Sequence, residues 1–381
     1  MTSGTTASDD RITALAQLLG RTPDGWVRAP GRVNLIGDHT DYQLGWCLPV
    51  AIDRDVVAAW SRRSDRLLIA QSAEFDAAVR IDLDRLPDLV DVEPWARQVV
   101  ATVLALAELD VTVAGVDIAT MSSVPLGSGL SSSAAFGVAI ARTLADAAAV
   151  DLSGNRLAIA AQRAEHIVGV PCGLLDQMAS VHARRDHALL LDCRDLATTQ
   201  IPLPASLAVV VIHSGLPRTL ATSAYAQRRD ACERAAARLG ITSLRDARPD
   251  DVVDDPFARH VVSENARVLA FAEALRSGRV ESLGPLMAAS HTSLAHDFDV
   301  STPEVDLLVE TLVDVGAIGA RMTGGGFGGC VVALADAELA PHICTNAVER
   351  YRDRTGLAPF GFVTAAADGA GPFAPEPPEM P

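Results

Sequence analysis

The sequence predicts an α+β protein large enough for two domains. Three observations lead there. Strand-like and helix-like stretches follow one another in mixed order, without the strict alternation of a parallel-sheet fold. The chain has 381 residues, 49% of them hydrophobic, so sizeable cores can be buried. Two glycine-rich stretches, 125–133 and 324–329, each adjoin a strand-like run, which suits a backbone built to approach something closely.

Asp9 to Leu19 has the spacing of a short amphipathic helix. Residues 29–42 read APGRVNLIGDHTDY. Val33, Leu35 and Ile36 suggest a buried strand, yet Arg32, Asn34, Asp38, His39 and Asp41 crowd the same run. It is either a surface hairpin with solvated charges or a loop that binds a sugar or polyol, whose hydroxyls suit carboxylate acceptors. Leu48 to Trp60, Arg66 to Ser72 and Val79 to Leu83 read as strands, and Pro94 to Leu109 as a helix with proline at its start. Val116, Ile118 and Thr120 then alternate with Asp117, Ala119 and Met121 as a further strand.

The segment PLGSGLSSSAA, residues 125–135, separates that strand from a helix-like run over 134–142. Glycines let backbone N–H groups approach a ligand, and a helix N-terminus favours negative charge. One of the serine hydroxyls could ligate Mg²⁺. The natural ligand of such a loop is a polyphosphate, although a well-capped turn would look the same on this stretch alone. It is not a Walker loop, because the chain contains no lysine and all 32 basic residues are arginine. Nor is it a dinucleotide fingerprint, since no early βαβ unit surrounds it.

Leu157, Ala161, Ala164 and Val168 share a helical face, and Glu165 lies near that helix's end. A carboxylate there opposes the helix dipole, so Glu165 is either exposed or a ligand of Mg²⁺. In CGLLDQMA, residues 172–179, Asp176 falls at a turn or in a first helical turn. There it is either a simple N-terminal charge or a general base kept ionised by the helix. Asp186 to Cys193 and Ala208 to Ser214 are strand-like. The stretch 196–206 between them carries Pro202 and Pro204 and marks a boundary between domains 1–205 and 206–368. Ser223 to Leu239, with Tyr225, Arg228 and Arg229, reads as a helix, as do Glu264 to Leu275 and Val305 to Val315. Five glycines in the six positions 324–329 then lead into the apolar run Val331 to Leu334. Either a flexible turn or a close approach to a ligand or loop would explain them. Residues 369–381, rich in Pro, Gly and Glu, are expected to be a disordered tail.

Net charge is −16, which argues against nucleic acid as a partner. A polyanionic substrate must then be met by backbone amides, a metal or a single arginine. Six scattered cysteines with no C-x-x-C pair read as reduced core thiols rather than a zinc site. No apolar run is long enough to span a membrane and the N-terminus is polar, so a soluble cytoplasmic protein with no membrane partner is expected; a monomer is expected as well.

Together, PGRVNLIGDHTDY, PLGSGLSSSAA and RMTGGGFGG resemble the three motifs of the GHMP kinases, the family of galactose, homoserine, mevalonate and phosphomevalonate kinases. The first segment, CGLLDQ and SAYAQRR (223–229) are close to the galactokinase branch, and the resemblance runs from about Ala29 to about Phe362. It implies an N-terminal domain like the second domain of ribosomal protein S5, a ferredoxin-like C-terminal domain, and an active site between them. The implied reaction is ATP-dependent phosphorylation of the anomeric C1 hydroxyl of galactose, the entry to the Leloir pathway.

The resemblance also implies roles, residue by residue. Gly127, Ser128, Gly129, Leu130, Ser131, Ser132 and Ser133 match the ATP phosphate loop. Ser133 and Glu165 match the Mg²⁺ ligands, Asp176 the catalytic base, and Arg32 the residue that assists it. Asp38, His39, Thr40 and Asp41 match the sugar-binding segment, and Tyr225 a sugar-contacting tyrosine. Gly324 through Gly328 match the third motif. The chain departs from the branch in three places. Asp38 stands where the branch usually has a glutamate that contacts the sugar's 6-hydroxyl, a contact the shorter side chain puts in question; Ala226 replaces a frequent asparagine; and the turn from Glu165 to Asp176 is one residue shorter. Asp38 opens alternatives in L-arabinose or galacturonate as acceptor, and N-acetylgalactosamine is a further alternative. A non-catalytic galactose sensor is the rival reading, and the intact Arg32, Ser133 and Asp176 speak against it. A Rossmann oxidoreductase fails because the 324–329 run precedes a strand instead of opening a helix.

Overall fold

The computed structural model describes residues 5–216 and 221–373. Helix α1 (Thr5–Leu19) precedes four strands, β1 (Gly25–Ile36), β2 (Trp46–Arg62), β3 (Leu67–Ser72) and β4 (Phe75–Asp82). Then come α2 (Arg97–Ala107), β5 (Val116–Ser122) and three helices, α3 (Ser132–Ala147), α4 (Gly154–Ile167) and α5 (Leu175–His182). Strands β6 (His187–Asp192), β7 (Thr198–Pro202) and β8 (Leu207–His213) follow. The remainder is α6 (Ala221–Leu239), α7 (Pro256–Arg276), α8 (Leu283–His296), α9 (Pro303–Asp314), β9 (Gly319–Met322), β10 (Cys330–Asp336), α10 (Ala340–Thr355), β11 (Phe360–Thr364) and β12 (Gly371–Pro372).

Among the described residues the strands form an eight-stranded and a four-stranded sheet. The larger runs β12-β1-β2-β5-β3-β4, with β6 joined to β2 and β7 to β6. Its period-2 pattern sorts two faces. Val56, Ala58 and Trp60 of β2 pack with Val99, Val138 and Leu157 of α2, α3 and α4, while Val57 and Ala59 turn to Leu15 and Leu19 of α1. The smaller sheet is antiparallel in the order β11-β8-β10-β9. Its strands are apolar without a break because both faces are covered. Val210, Ile212, Val331 and Ala333 meet α9 and α10, and Val209, Val211, Val332 and Leu334 meet Leu35 and Val50 of the first sheet with Phe271 and Met287 of α7 and α8. One apolar core therefore joins the two sheets.

One element was not expected, and one expectation needs correction. The stretch 196–206 contains a strand: β7 pairs with β6 from His187↔Pro202 to Leu191↔Thr198. Its prolines did not exclude it, because Pro202 ends the strand and Thr198, Thr199 and Ile201 suit a sheet edge. The start of the expected disordered tail is also a strand. Gly371 and Pro372 pair with Arg28 and Val27, Ala370 N donates to Ser180 O (2.7 Å), and Phe373 packs beside α1. The edge of β1 offers unpaired backbone groups that outweigh the tail's composition. Residues 374–381 lie outside the described residues.

Candidate active site

Strand β1 carries the first motif, and irregularities interrupt its pairing with β2 between Pro30 and Arg32 and between Asn34 and Ile36. A bulge frees backbone groups and re-aims side chains. Gly31 lies within the first irregularity. A Cβ there would meet the Leu130 carbonyl oxygen at 2.7 Å, so only glycine lets β1 approach the phosphate loop this closely. Arg32 N donates to that same oxygen (3.1 Å). The groups freed around Asn34 are taken by the third motif. Asn34 N donates to Thr323 Oγ1 (3.0 Å), while Thr323 Oγ1 (3.1 Å) and Arg321 Nη1 (3.2 Å) reach Asn34 O.

Arg32 thus points into a cleft of about 360 Å³. Its Nε donates to Asp176 Oδ1 (2.7 Å), Nη2 lies 2.6 Å from the same oxygen, and Nη1 donates to Gly129 O (2.9 Å). Asp176 stands in the first turn of α5, which Ser180 anchors to β1 through Pro30 O (2.8 Å). Ser131 precedes α3 in a left-handed conformation (φ 61°), and its hydroxyl makes no cap to the helix. Instead it donates to Asp176 Oδ2 (2.7 Å). The first amides of α3 therefore lack a side-chain cap beside the cleft, an arrangement that suits an anion. Burial disfavours the Arg32 charge, but Asp176, Asp38 and Asp41 outweigh it and its pKa rises.

Of the expected ATP-loop residues, Gly127, Gly129, Ser131, Ser132 and Ser133 line the cleft. Leu130 does not, being wholly buried in the core shared by the sheets, and the Ser128 hydroxyl donates to Pro125 O (2.6 Å). Glu165 is 4% exposed rather than a surface glutamate. Its Oε2 accepts from Cys172 Sγ (2.9 Å) and Gln177 Nε2 (3.0 Å), and Oε1 is buried without a hydrogen-bond partner. Burial pushes its pKa up, against the pull of Cys172 and Ser133. Such an open, desolvated carboxylate oxygen near a serine hydroxyl at the phosphate loop fits a hard divalent cation. Among the described residues no cluster of three or more His, Cys, Asp or Glu could hold a metal, so other oxygens would have to come from phosphate and water.

Asp38, His39, Asp41 and Tyr225 line the other end of the cleft. Asp41 has its pKa raised to about 6, first by burial and then by the charge of Asp176. His39, at φ 63°, is neutral, since burial lowers its pKa to about 3. Its ring packs against Tyr225 (centroids 5.4 Å apart) and Phe298 (4.8 Å). Thr40 does not face the cleft. It is fully buried, with its hydroxyl 2.9 Å from Gly37 O and 2.8 Å from Trp46 O, so it shapes the loop instead. Asp38 is only partly available. Oδ2 pairs with Arg321 Nη1 (2.6 Å) and Oδ1 accepts from Gly324 N (2.9 Å). Burial raises its pKa against the pull of Arg321 and Arg32.

Arg321, Thr323, Glu264, Cys172 and Gln177 were not among the expected site residues. Fully buried Arg321 sits between Asp38 and Glu264, whose pKa falls to about 2 because Arg321 and Arg267 outweigh its burial. Arg321 and Thr323 flank the glycine run, a visible signal, but their partners on β1 lie more than 280 residues away.

Residues 14–62 match the galactokinase galactose-binding signature, 97–184 the GHMP kinases N terminal domain, and 271–353 the GHMP kinases C terminal domain. The galactokinase of Roseiflexus sp. (strain RS-1) is 43% identical over 371 residues, 93% of this chain and 94% of that one. The crystal structure of Lactococcus lactis galactokinase complexed with galactose superposes with a TM-score of 0.89 at 27% identity, over 96% of this chain and 100% of that one. Mevalonate kinase from Methanococcus jannaschii shares the fold, with a TM-score of 0.64 at 16% identity over 90% and 98% of the two chains.

Proposed function

The chain belongs to the galactokinases of the GHMP kinase family, and from that membership we propose that it transfers the γ-phosphoryl group of ATP to the C1 hydroxyl of D-galactose. The observation that carries this reading is Asp176, held by Arg32 and Ser131 where the phosphate loop and the Asp41 end of the cleft meet. We assign Asp176 as the base, Arg32 as its fixed cationic partner, and Asp41, His39 and Tyr225 as the residues that receive the sugar. Asp38 supports that end from behind, through Arg321 and Gly324. The loop Gly127–Ser133 cradles the phosphates with its backbone. Residues 1–205 and 206–368 are taken as the two domains, and the strand at Gly371–Pro372 returns to the first.

The chemistry follows from these placements. Phosphoryl transfer depends on in-line positioning and on neutralised charge. The anomeric hydroxyl oxygen forms a bond to the γ-phosphorus while the bond from that phosphorus to the β–γ bridging oxygen breaks and ADP leaves. The hydroxyl proton passes to the Asp176 carboxylate, late, since an anomeric hydroxyl is more acidic than an ordinary alcohol. Arg32 keeps the carboxylate oriented by binding both it and the phosphate loop at Gly129 O. Ser133 and Glu165 would hold Mg²⁺, which when bound neutralises phosphate charge.

The test is a panel of galactose, 2-deoxygalactose, N-acetylgalactosamine, L-arabinose and galacturonate assayed by ADP release, with the product's phosphate position read by NMR. Galactose is expected to give the highest kcat/KM and a C1 phosphate. A higher kcat/KM for L-arabinose or galacturonate would assign a different acceptor to the same kinase.

A further inference from the structure

We propose that Cys172 and Gln177 are positioning residues for Glu165, capturing one oxygen of its carboxylate so that the other is presented to a divalent cation. The inference rests on the reading of Glu165 as a metal ligand and adds residues to which no role has been assigned. Three elements converge here: Glu165 on α4, Cys172 in the loop that follows, and Gln177 on α5. Both donors reach the same atom. Cys172 Sγ is 2.9 Å and Gln177 Nε2 3.0 Å from Oε2. Gln177 is wholly buried, and only its NH₂ group can face a carboxylate, so its orientation is fixed. Oε1, also buried, has no hydrogen-bond partner within normal distance, and a further pull on the carboxylate comes from the Ser133 hydroxyl, the other residue read as a metal ligand.

A carboxylate filled symmetrically would have no reason to leave a buried oxygen bare, since an unmet acceptor costs free energy. Here the two donors sit on one side, and Cys172 lines the same cleft as Ser133. Partners of this kind orient a ligand and tune its affinity for metal. Gln177 adjoins Asp176 in one helical turn, so the base and the ligand's support move as one unit.

The experiment measures Mn²⁺ binding by electron paramagnetic resonance in the presence of a non-hydrolysable ATP analogue, alongside the melting temperature and the Mg²⁺ dependence of turnover. Cys172→Ala and Gln177→Leu should each weaken Mn²⁺ binding on the order of tenfold. Cys172→Ser, which keeps a donor, should restore it towards the wild-type value. The half-saturating Mg²⁺ concentration should rise more than kcat falls. Wild-type Mn²⁺ affinity in both Cys172→Ala and Gln177→Leu, with a lowered melting temperature, would reduce the pair to a packing role and overturn the proposal. Glu165→Gln separates the two readings. If it leaves Mn²⁺ affinity unchanged, Glu165 is not a ligand at all. If it alone abolishes binding, the ligand stands and only the positioning role falls. Should Cys172→Ala fail to fold, Gln177→Leu against wild type carries the same comparison.

Discussion

Asp176 accepts hydrogen bonds at both oxygens, from Arg32 on one and Ser131 on the other. An amide in its place would keep the shape but could not take the proton. Asp176→Asn should therefore lower kcat on the order of 10²–10⁴-fold, while a fluorescent ATP analogue binds as before; full turnover in this variant would remove Asp176 as the base. Asp41 titrates where an enzyme is assayed. Its pKa of about 6 means that it gains a proton as pH falls through that value. The protonated acid loses the charge-assisted bond to a sugar hydroxyl. We predict that kcat/KM for the sugar falls below about pH 6, approaching tenfold per pH unit. A profile flat down to pH 5 would contradict the role given to Asp41.

At the scale of elements, the site depends on how closely loops approach one another. The turn between α4 and α5 brings Gly173 against Asp41. A Cβ on Gly173 would fall 1.6 Å from Asp41 Oδ2. The obstruction is a side-chain end, so the fold can accommodate it, but only by moving the carboxylate proposed to receive the sugar. Gly173→Ala should lower kcat/KM for the sugar on the order of 10²-fold, with its circular dichroism spectrum unchanged. An unaffected kcat/KM would show that Asp41 does not set the sugar's position. The α3 terminus follows the same economy. Ser131 gives its hydroxyl to Asp176 rather than to the helix, and so leaves the first amides without a side-chain cap, as the proposed phosphate site requires.

Across the whole molecule, Arg321 ties the site together. From β9 it reaches Asp38 and Asn34 O of the first motif and Glu264 of α7. These groups are fully buried or nearly so, which makes the removal of one partner costly: Glu264 keeps Arg267, but Asp38 stays desolvated without its ion pair. Arg321→Met should destabilise the protein by about 3–5 kcal/mol, read as a fall in the urea midpoint, and should raise KM for the sugar through Asp38. A wild-type midpoint would mean that Asp38 finds another partner. Because the pairings cross from β1 to the second sheet, loss of Arg321 should reach both halves of the molecule at once.

Most of the local structure was legible in the order of residues alone. Alternation in Val56–Trp60 and the unbroken apolar run Val209–Ile212 specify strands, because period 2 and burial leave few other solutions. The glycine–serine run before α3 and the glycines at 324–329 marked the two loops for the same reason: only a special backbone needs such residues. Three motifs in order also identified the family. The weak edges were elements whose formation depends on a distant partner. Strand β7 and Gly371–Pro372 exist because β6 and β1 offer them ladders. Side-chain direction likewise could not be read from a motif. Thr40, Ser128 and Leu130 lie inside matching segments yet turn away from the cleft, and Asp38 is shared with Arg321, 283 residues on. Cys172, read as one more core thiol, lies on the cleft's lip beside Glu165. Local sequence sets propensity and periodicity. Which buried charge meets which partner is decided only when packing removes water and every desolvated group must be paired.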